Sequence, residues 1–379
     1  MNRVEVRGLF IRSVAVVAMA AMLPGLAAAQ YWLHDDSSKT NRSIFRPLDW
    51  PDPTAMRNAA GSPGPGYWQQ KVDYEIEASL DTVNHVITGS EHITYHNNSP
   101  DRLRYLWVQL DQNVRSLEHS RSYQTRGALP EELSERARQF LGMAPFDGGY
   151  DIARVQVLVA GSLVDTRYII NNTVMRVDLL EPLESGGVVE FEIDWSYRIP
   201  DSGRGGKELV SDGWIYEMAQ WFPRLSVYDD VNGWQTDQFL GRGEFYLEFG
   251  DYDVKLTVPA DHIVDATGVL QNPEEVLTQT QRDRLAQAMT SEEPMFIVAA
   301  EEVMTPGTRP SQTGMLTWHY KAENVRDYAW VSSKTFVWDA AGYRYESDNR
   351  LVEAHSFYPR DAMPLWDSVS TKAIIQTLK

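Results

Sequence analysis

The feature that most constrains the fold is an alternation of apolar and charged residues that begins soon after Tyr67. In the run Val72–Ala78, every second residue is apolar, and Asp73, Glu75 and Glu77 stand between them. A period of two places successive side chains on opposite faces, which is typical of a half-buried β-strand. This part of the chain is therefore predicted to lie in a sheet with one face buried.

The same alternation returns along most of the chain, separated by short turns. Further strands are predicted at Val86–His96, Leu103–Leu110, Ile152–Ala160, Thr173–Leu180, Val188–Arg198, Gly243–Val258, His262–Val269, Phe296–Glu302, Met315–Tyr320 and Val331–Trp338. Helical patterns are fewer, at Pro130–Gly142, Glu274–Met289 and Ser368–Leu378. The predicted fold is mostly β: a large antiparallel domain, a sandwich or a saddle, with a few helices.

Charge and cysteine content exclude several kinds of site. The 379 residues include 53 acidic and 35 basic side chains, a formal net charge of −18. A field of that sign repels phosphate backbones, which argues against a nucleic-acid partner. Cysteine is absent, so disulfides, thiolate nucleophiles and Cys-ligated metals are excluded.

The first 29 residues resemble an export signal. They contain a basic start, an apolar run at Ser13–Leu23 and small residues at Ala27 and Ala29, as secretory signal peptides do. We therefore expect residues 1–29 to be removed, a mature chain beginning at Gln30, and a periplasmic or extracellular location without membrane attachment. A membrane anchor is the alternative, but the run is shorter than the ~20 residues a span requires.

Histidines give little indication of a metal site. His92 and His96 have the spacing of two zinc ligands on a helix, yet their segment alternates like a strand. Four residues of strand extend about 13 Å, too far for one zinc ion. We interpret both as polar strand residues, and the isolated His262, His319 and His355 as structural.

The segment Asp212–Arg224 is dense in aromatic residues and carries an isolated carboxylate, Glu217, near its middle. One interpretation is a core strand followed by a corner at Pro223. The other is a set of rigid aromatic surfaces around a carboxylate, which suits recognition of a small cation or amine. The residues leave both interpretations open.

In its order of parts, the chain resembles the N-terminal region of the aminopeptidase N-type zinc metallopeptidases. The segments that carry the resemblance are Tyr74–Ala78, Gly89–Glu91, Ala219–Pro223, Val254–Gly268 and Arg326–Ser333. It differs from the family pattern where Gln220 replaces an Arg and Arg224 replaces a Cys. The family's His-Glu-x-x-His zinc motif does not occur in these 379 residues.

The resemblance implies a domain organisation and a function. After the signal peptide and a Pro/Gly-rich extended arm at 30–66, residues 67–358 form a saddle-shaped β-domain. Residues 359–379 then begin a truncated, thermolysin-like helical catalytic domain. The chain would be the substrate-facing domain of an exported zinc aminopeptidase, with zinc only in the full-length enzyme, and would be inactive alone.

The same resemblance implies the site and its partners. No catalytic residue or metal ligand is expected in this chain, whereas Glu217, or less favourably Gln220, would hold the substrate's α-ammonium group. The partners would be peptide N-termini and the missing catalytic domain. The alternative is a non-enzymatic exported β-sandwich that binds carbohydrate or peptide, and it predicts exposed aromatic platforms.

Overall fold

The computed structural model describes residues 53–116, 146, 148–201, 205–240, 245–291 and 293–379. The predicted signal peptide, most of the arm and the predicted helix at Pro130–Gly142 lie outside these residues. The chain divides into two compact units, 1–64 and 65–379. In the described part of the first unit, an antiparallel bridge joins Arg57 to Pro63, so residues 53–64 fold back on themselves.

The second unit is built mainly of strands, numbered here in chain order over the described residues. The first eleven are β1 Lys71–Asp81, β2 Val86–His96, β3 Leu103–Gln109, β4 Asp151–Val159, β5 Ser162–Asp165, β6 Tyr168–Asn171, β7 Val174–Leu183, β8 Val188–Arg198, β9 Gly206–Val210, β10 Gly213–Met218 and β11 Arg224–Leu225. The others are β12 Tyr228–Asp229, β13 Gly233–Trp234, β14 Gly250–Pro259, β15 Ile263–Ala266, β16 Val269–Leu270, β17 Met295–Val298, β18 Met315–Val325, β19 Trp330–Ser333, β20 Phe336–Arg344 and β21 Leu351–Pro359. The mostly β fold class is confirmed.

An eight-stranded sheet forms the main layer, in the order β16-β18-β14-β1-β2-β8-β4-β5. Four smaller sheets accompany it, with orders β15-β19-β10-β9, β11-β3-β7-β6, β17-β20-β21 and β12-β13. The paired strands are antiparallel with one exception, because β1 runs parallel to β14, with Ile76 opposite Val254. This parallel pair joins segments about half the chain apart, and the local alternation of residues carries no sign of it.

The predicted alternation places the core on one face of the large sheet. In β1, Val72, Tyr74, Ile76, Ala78 and Leu80 are buried, and the residues between them are exposed or half-buried. Fully buried rings fill the space against that face, among them Trp195, Trp221, Phe222 and Tyr358. Large aromatic side chains contribute much of the apolar area removed from water here.

Three α-helices occur in the described residues: α1 Pro273–Val276, α2 Gln279–Ala288 and α3 Leu365–Leu378. The single helix predicted at Glu274–Met289 is two helices, because Leu277 adopts an extended conformation between them. Thr278 then starts α2 with a capping box: its hydroxyl accepts from the Gln281 amide, and Gln281 Oε1 accepts from the Thr278 amide. None of the described helices is long and apolar enough to cross a membrane.

Candidate functional site

Glu217 lies on β10, in the middle of a small sheet. Its backbone is opposite Val331 of β19 on one side and Gly206 of β9 on the other. The side chain is half-buried, and burial, with a smaller contribution from the charge of Glu208, raises the pKa of its carboxyl above the ordinary value. No described residue donates a hydrogen bond to this carboxylate.

Gln220 lies in the turn that follows β10, where the chain leaves the sheet. It has a φ of 51°, in the left-handed region that non-glycine residues rarely adopt. Two side chains hold this conformation through its carbonyl oxygen: Gln112 Nε2 donates at 3.0 Å and the Tyr150 hydroxyl at 3.4 Å. The main chain of Gln220 is thus a structural part of the corner, while its amide side chain has no hydrogen-bond partner among the described residues.

Gly205 shows that the structure brings these two predicted residues together. Its amide donates to the Glu217 carbonyl at 2.8 Å, and a Cβ at Gly205 would lie 3.9 Å from Gln220 Oε1. Gly205 also has a φ of 75°, which glycine adopts without the strain that a Cβ would bring. The backbone carbonyl of Glu217 and the side-chain amide of Gln220 therefore both lie beside Gly205, and the roles of the two residues in binding stay a prediction.

Most aromatic side chains of the same segment belong to the core rather than to this site. Tyr216, Trp221 and Phe222 are at most 1% exposed, and Trp221 Nε1 donates to the Tyr328 carbonyl at 2.9 Å. Their rings cannot contact a ligand in this conformation. Of the two interpretations of the segment, the core strand and corner is the one that describes these rings.

Arg224 is a structural residue of this region that the sequence analysis missed. Its guanidinium is 1% exposed and forms ion pairs with the buried Asp111 and, at 2.8 Å, with Asp327. The pairing joins β11 to the short helical turn Asp111–Arg115 and to the segment before β19. The sequence does contain a signal for it. The residues around Arg224 are apolar enough to predict burial, and a buried arginine requires carboxylate partners.

The histidines take the positions expected of strand residues. His92 and His96 lie on β2 but turn to different neighbours: His92 Nε2 is 3.1 Å from Glu190 of β8, and His96 Nε2 is 3.2 Å from Asp73 of β1. The isolated ones each have a protein partner: His262 contacts Ser332, His319 contacts Asp253, and His355 lies between Asp265 and Glu353. Among the described residues, no group of three or more His, Asp and Glu side chains is placed to hold a metal.

A groove of about 660 Å³ lies over the outward-facing side of the eight-stranded sheet. Its polar lining consists of Glu77, Ser79, Thr88, Ser90, Asp194, Ser196, Lys255, Thr257 and Thr317. Many of these groups are already paired, as Lys255 is with Glu77 at 2.8 Å and Ser90 with Asp194 at 2.7 Å. Trp195 borders the groove but is 1% exposed, so no ring is presented for stacking on a sugar.

Comparisons with known proteins relate the chain to one group of solved structures. No family model matches the chain, and no curated protein matches it. It is similar to a mutant M1 zinc metallopeptidase from Deinococcus radiodurans, over 84% of this chain and 54% of that chain, with 11% identity and a TM-score of 0.44. A two-domain M1 zinc metallopeptidase mutant bound to L-arginine aligns over 82% and 52%, with 10% identity and a TM-score of 0.43.

The chain spans about half the length of these solved structures. A further M1 zinc metallopeptidase from Deinococcus radiodurans covers 79% of this chain and 49% of its own, with 11% identity and a TM-score of 0.40. At this level of similarity the comparisons assign no activity and no residue role to the chain.

Proposed function

We propose that this chain is the N-terminal, substrate-facing β-domain of an exported zinc metallo-aminopeptidase, and that it holds the α-ammonium group of the peptide to be shortened. The observation that carries the proposal is the half-buried carboxylate of Glu217 on β10, with Gln220 in the turn that follows the same strand. Neither side chain receives a hydrogen bond from a described residue, and both present oxygens. An ammonium group donates up to three hydrogen bonds, and a bond to a carboxylate is stronger than one to a neutral amide.

Zinc does not fit the described residues of this chain. They offer no cluster of ligating side chains, and cysteine is absent from the sequence. The proposal therefore assigns zinc to a polypeptide region outside these 379 residues, and assigns to this chain only the binding and orientation of the peptide.

The surface of α3 supports a domain partner. Its buried residue is Thr371, whose hydroxyl donates to Ser356 at 2.7 Å. Leu365, Trp366 and Val369 are 65%, 46% and 48% exposed. A helix that turns a hydroxyl toward its own domain and apolar side chains outward fits a second domain that covers it, because burying those side chains releases free energy. We propose the catalytic domain as that partner.

Carbohydrate binding is the alternative function, and the burial of the aromatic side chains argues against it. A carbohydrate-binding module stacks sugars on exposed aromatic side chains. Among the tyrosines and tryptophans that the structure describes, Tyr246 and Trp366 are the ones more than a third exposed, and they lie on separate segments of the chain.

The test is substitution of Glu217 in the enzyme that includes the catalytic domain. Glu217→Ala is expected to lower kcat/KM for free-amine peptides by about 10-fold or more, from the loss of ~1.5–3 kcal/mol for a hydrogen bond to a charged group. Turnover of N-acetylated peptides is expected to stay unchanged, because they carry no ammonium group.

The exposed Glu208 on the neighbouring strand β9 offers a matched control. Glu208→Ala removes a nearby carboxylate without removing the proposed contact, so the preference for free amines is expected to remain. An equal loss of activity on free and acetylated peptides in Glu217→Ala would overturn the anchoring role.

A further inference from the structure

A second polar cavity, of about 190 Å³, is lined by residues outside the segment Asp212–Arg224, so neither Glu217 nor Gln220 borders it. It is formed where the chain enters β1, around the hairpin of β12 and β13, and just before β14. Its aromatic walls are Tyr67, Trp68, Tyr228, Tyr246 and Phe249, and its charged groups are Asp229, Asp230, Glu248 and Arg326.

The aromatic walls are held in place without a ligand. Trp68 and Tyr228 stack with their ring centroids 5.8 Å apart and their planes 21° from parallel. The Tyr228 hydroxyl donates to Asp101 at 2.7 Å, and the Tyr246 hydroxyl donates to Asp229 at 3.2 Å. Walls fixed in this way lose little side-chain freedom when a ligand enters.

Glu248 is the carboxyl group of this cavity with an open position. One oxygen accepts a long hydrogen bond from the Tyr228 amide, at 3.3 Å, and no described residue donates to the other. Burial, with a contribution from the charge of Asp229, raises the pKa of Glu248 to about 8. Glu248 thus shares the cavity with five aromatic side chains, and no described residue forms an ion pair with it.

We propose that this cavity binds a primary alkylammonium group, the chemical group at the end of a lysine side chain. Its N–H groups would donate to Glu248, and its charge would lie among the aromatic walls of the cavity. Carboxylates and aromatic faces both attract a cation, and the open oxygen of Glu248 calls for an N–H donor, which a quaternary ammonium lacks. The proposal is independent of the aminopeptidase function.

Substitution of Arg326 is expected to have the opposite effect on binding to substitution of Glu248. It is exposed at the edge of the cavity, with its guanidinium 5.8 Å from the centroid of the Phe249 ring. Its positive charge opposes the entry of a cation. Neutralising Arg326 is therefore expected to strengthen binding, whereas neutralising Glu248 weakens it.

Affinity for the cation is expected to depend on pH with a defined sign. The ligand binds the ionised carboxyl, so below pH 8 binding must first remove a proton from Glu248. Affinity should rise by up to about tenfold per pH unit toward pH 8 and level off above it. The other titratable or charged groups facing Glu248 are Tyr67, Tyr95, Tyr228, Asp229, Asp230, Tyr246 and Arg326.

Isothermal titration of the chain with n-butylammonium at low ionic strength tests the proposal, with n-butanol as the neutral analogue and tetramethylammonium as the cation without N–H donors. We expect n-butylammonium to bind more tightly than either. Glu248→Gln is expected to weaken it by about tenfold or more at pH 8.5, and Arg326→Gln to strengthen it several-fold.

Two results would overturn the proposal. One is equal binding of n-butylammonium and n-butanol by the unsubstituted protein. The other is weaker n-butylammonium binding by Arg326→Gln, an exposed substitution that leaves the stacked pair Trp68 and Tyr228 and the carboxyl group of Glu248 unchanged. Neither result depends on whether Glu248→Gln folds.

Discussion

Asp111 and Glu91 are both carboxyl groups buried in the domain, at 3% and 1% exposure, and they differ in their partners. Asp111 is ion-paired with Arg224, which is itself buried. Both carboxyl oxygens of Glu91 lack a hydrogen-bond partner among the described residues. Burial raises the pKa of both groups, and the charge of Arg224 opposes that rise only for Asp111.

Because Asp111 has a cation partner and Glu91 has none, the two carboxyl groups are expected to affect the stability of this domain in opposite directions. Arg224 binds two carboxylates, and the side chain of Asp327 is 35% exposed, so part of the cluster's charge is still hydrated. Glu91 projects from the core side of β2, between Gly89 and Ile93, where burial without a cation raises the pKa of its carboxyl well above the ordinary value. Asp111 therefore helps to hold two segments together through Arg224, whereas Glu91 lowers the stability of the folded domain.

The largest effect is expected from breaking the paired cluster. Arg224→Met leaves Asp111 buried without its cation, and removing one partner of a buried ion pair typically costs about 3–5 kcal/mol. Urea unfolding at pH 7, compared with the unsubstituted protein, measures this loss.

Asp327→Asn serves as the matched substitution for this pair. It removes the partly exposed carboxylate of the same cluster and is expected to lower the free energy of unfolding by less than Arg224→Met. If Arg224→Met lowers the free energy of unfolding by less than about 1 kcal/mol, the expected cost of breaking a buried ion pair is contradicted.

A smaller effect of opposite sign is expected at the unpaired carboxyl. Glu91→Leu removes a buried polar group without a partner and should raise the free energy of unfolding by about 1–3 kcal/mol. The exposed Glu75, changed to Leu on the outward face of β1, is the control in which no such gain is expected. A less stable Glu91→Leu protein would mean that the carboxyl group is satisfied in the folded state.

The pH dependence of Glu91 sharpens the same comparison. Its pKa is raised in the folded state, so the native protein holds this proton more tightly than the unfolded chain does. The protonated carboxyl is tolerated in the core, whereas the ionised carboxyl is not. The free energy of unfolding is therefore unaffected by this titration below the ordinary glutamate pKa, and it falls as pH rises from there through the raised value. Glu91→Leu should remove that decline, which urea unfolding at a series of pH values from the ordinary glutamate pKa upward would detect.

The smallest effect is expected at Gln220, where the backbone rather than the charge is constrained. Gly is expected to be more stable than Ala at this position by about 0.5–1 kcal/mol, because only Ala keeps a Cβ in the left-handed region. Comparing Gln220→Gly with Gln220→Ala by urea unfolding isolates this term from the loss of the side chain. An Ala variant at least as stable as the Gly variant would contradict it.

The parts of this molecule that the sequence predicts are those decided by neighbouring residues. The strand β2 has the predicted bounds Val86–His96, because apolar and polar residues alternate with a period of two wherever one face of a strand is buried. The position of His92 and His96 on a strand follows from the same pattern. The break between α1 and α2 was also readable, since Thr278 and Gln281 have the spacing of a capping box, but the prediction of one long helix overlooked it.

The site could be predicted only in part. The aromatic segment drew attention to Glu217, yet the sequence does not distinguish a buried ring of that segment, such as Trp221, from a ring beyond it that lines a cavity, such as Tyr228. That distinction depends on which segments cover each ring. The cavity around Glu248 joins residues near positions 67, 228, 248 and 326, and no local pattern connects them.

By itself, the sequence determined the mostly β fold class, strands such as β1 and β2 with their buried faces, the absence of cysteine chemistry and the acidic charge, because each follows from composition or from residues a few positions apart. It did not separate β19 from β20, which the prediction Val331–Trp338 joins, and it did not predict β21. Only the tertiary structure decided that β1 runs parallel to β14, that Arg224 joins Asp111 to Asp327, and that the Gly205 amide donates to the Glu217 carbonyl. These contacts link distant parts of the chain. Their formation depends on how the whole core packs, since a buried charge finds its partner only where the fold brings one within hydrogen-bond distance.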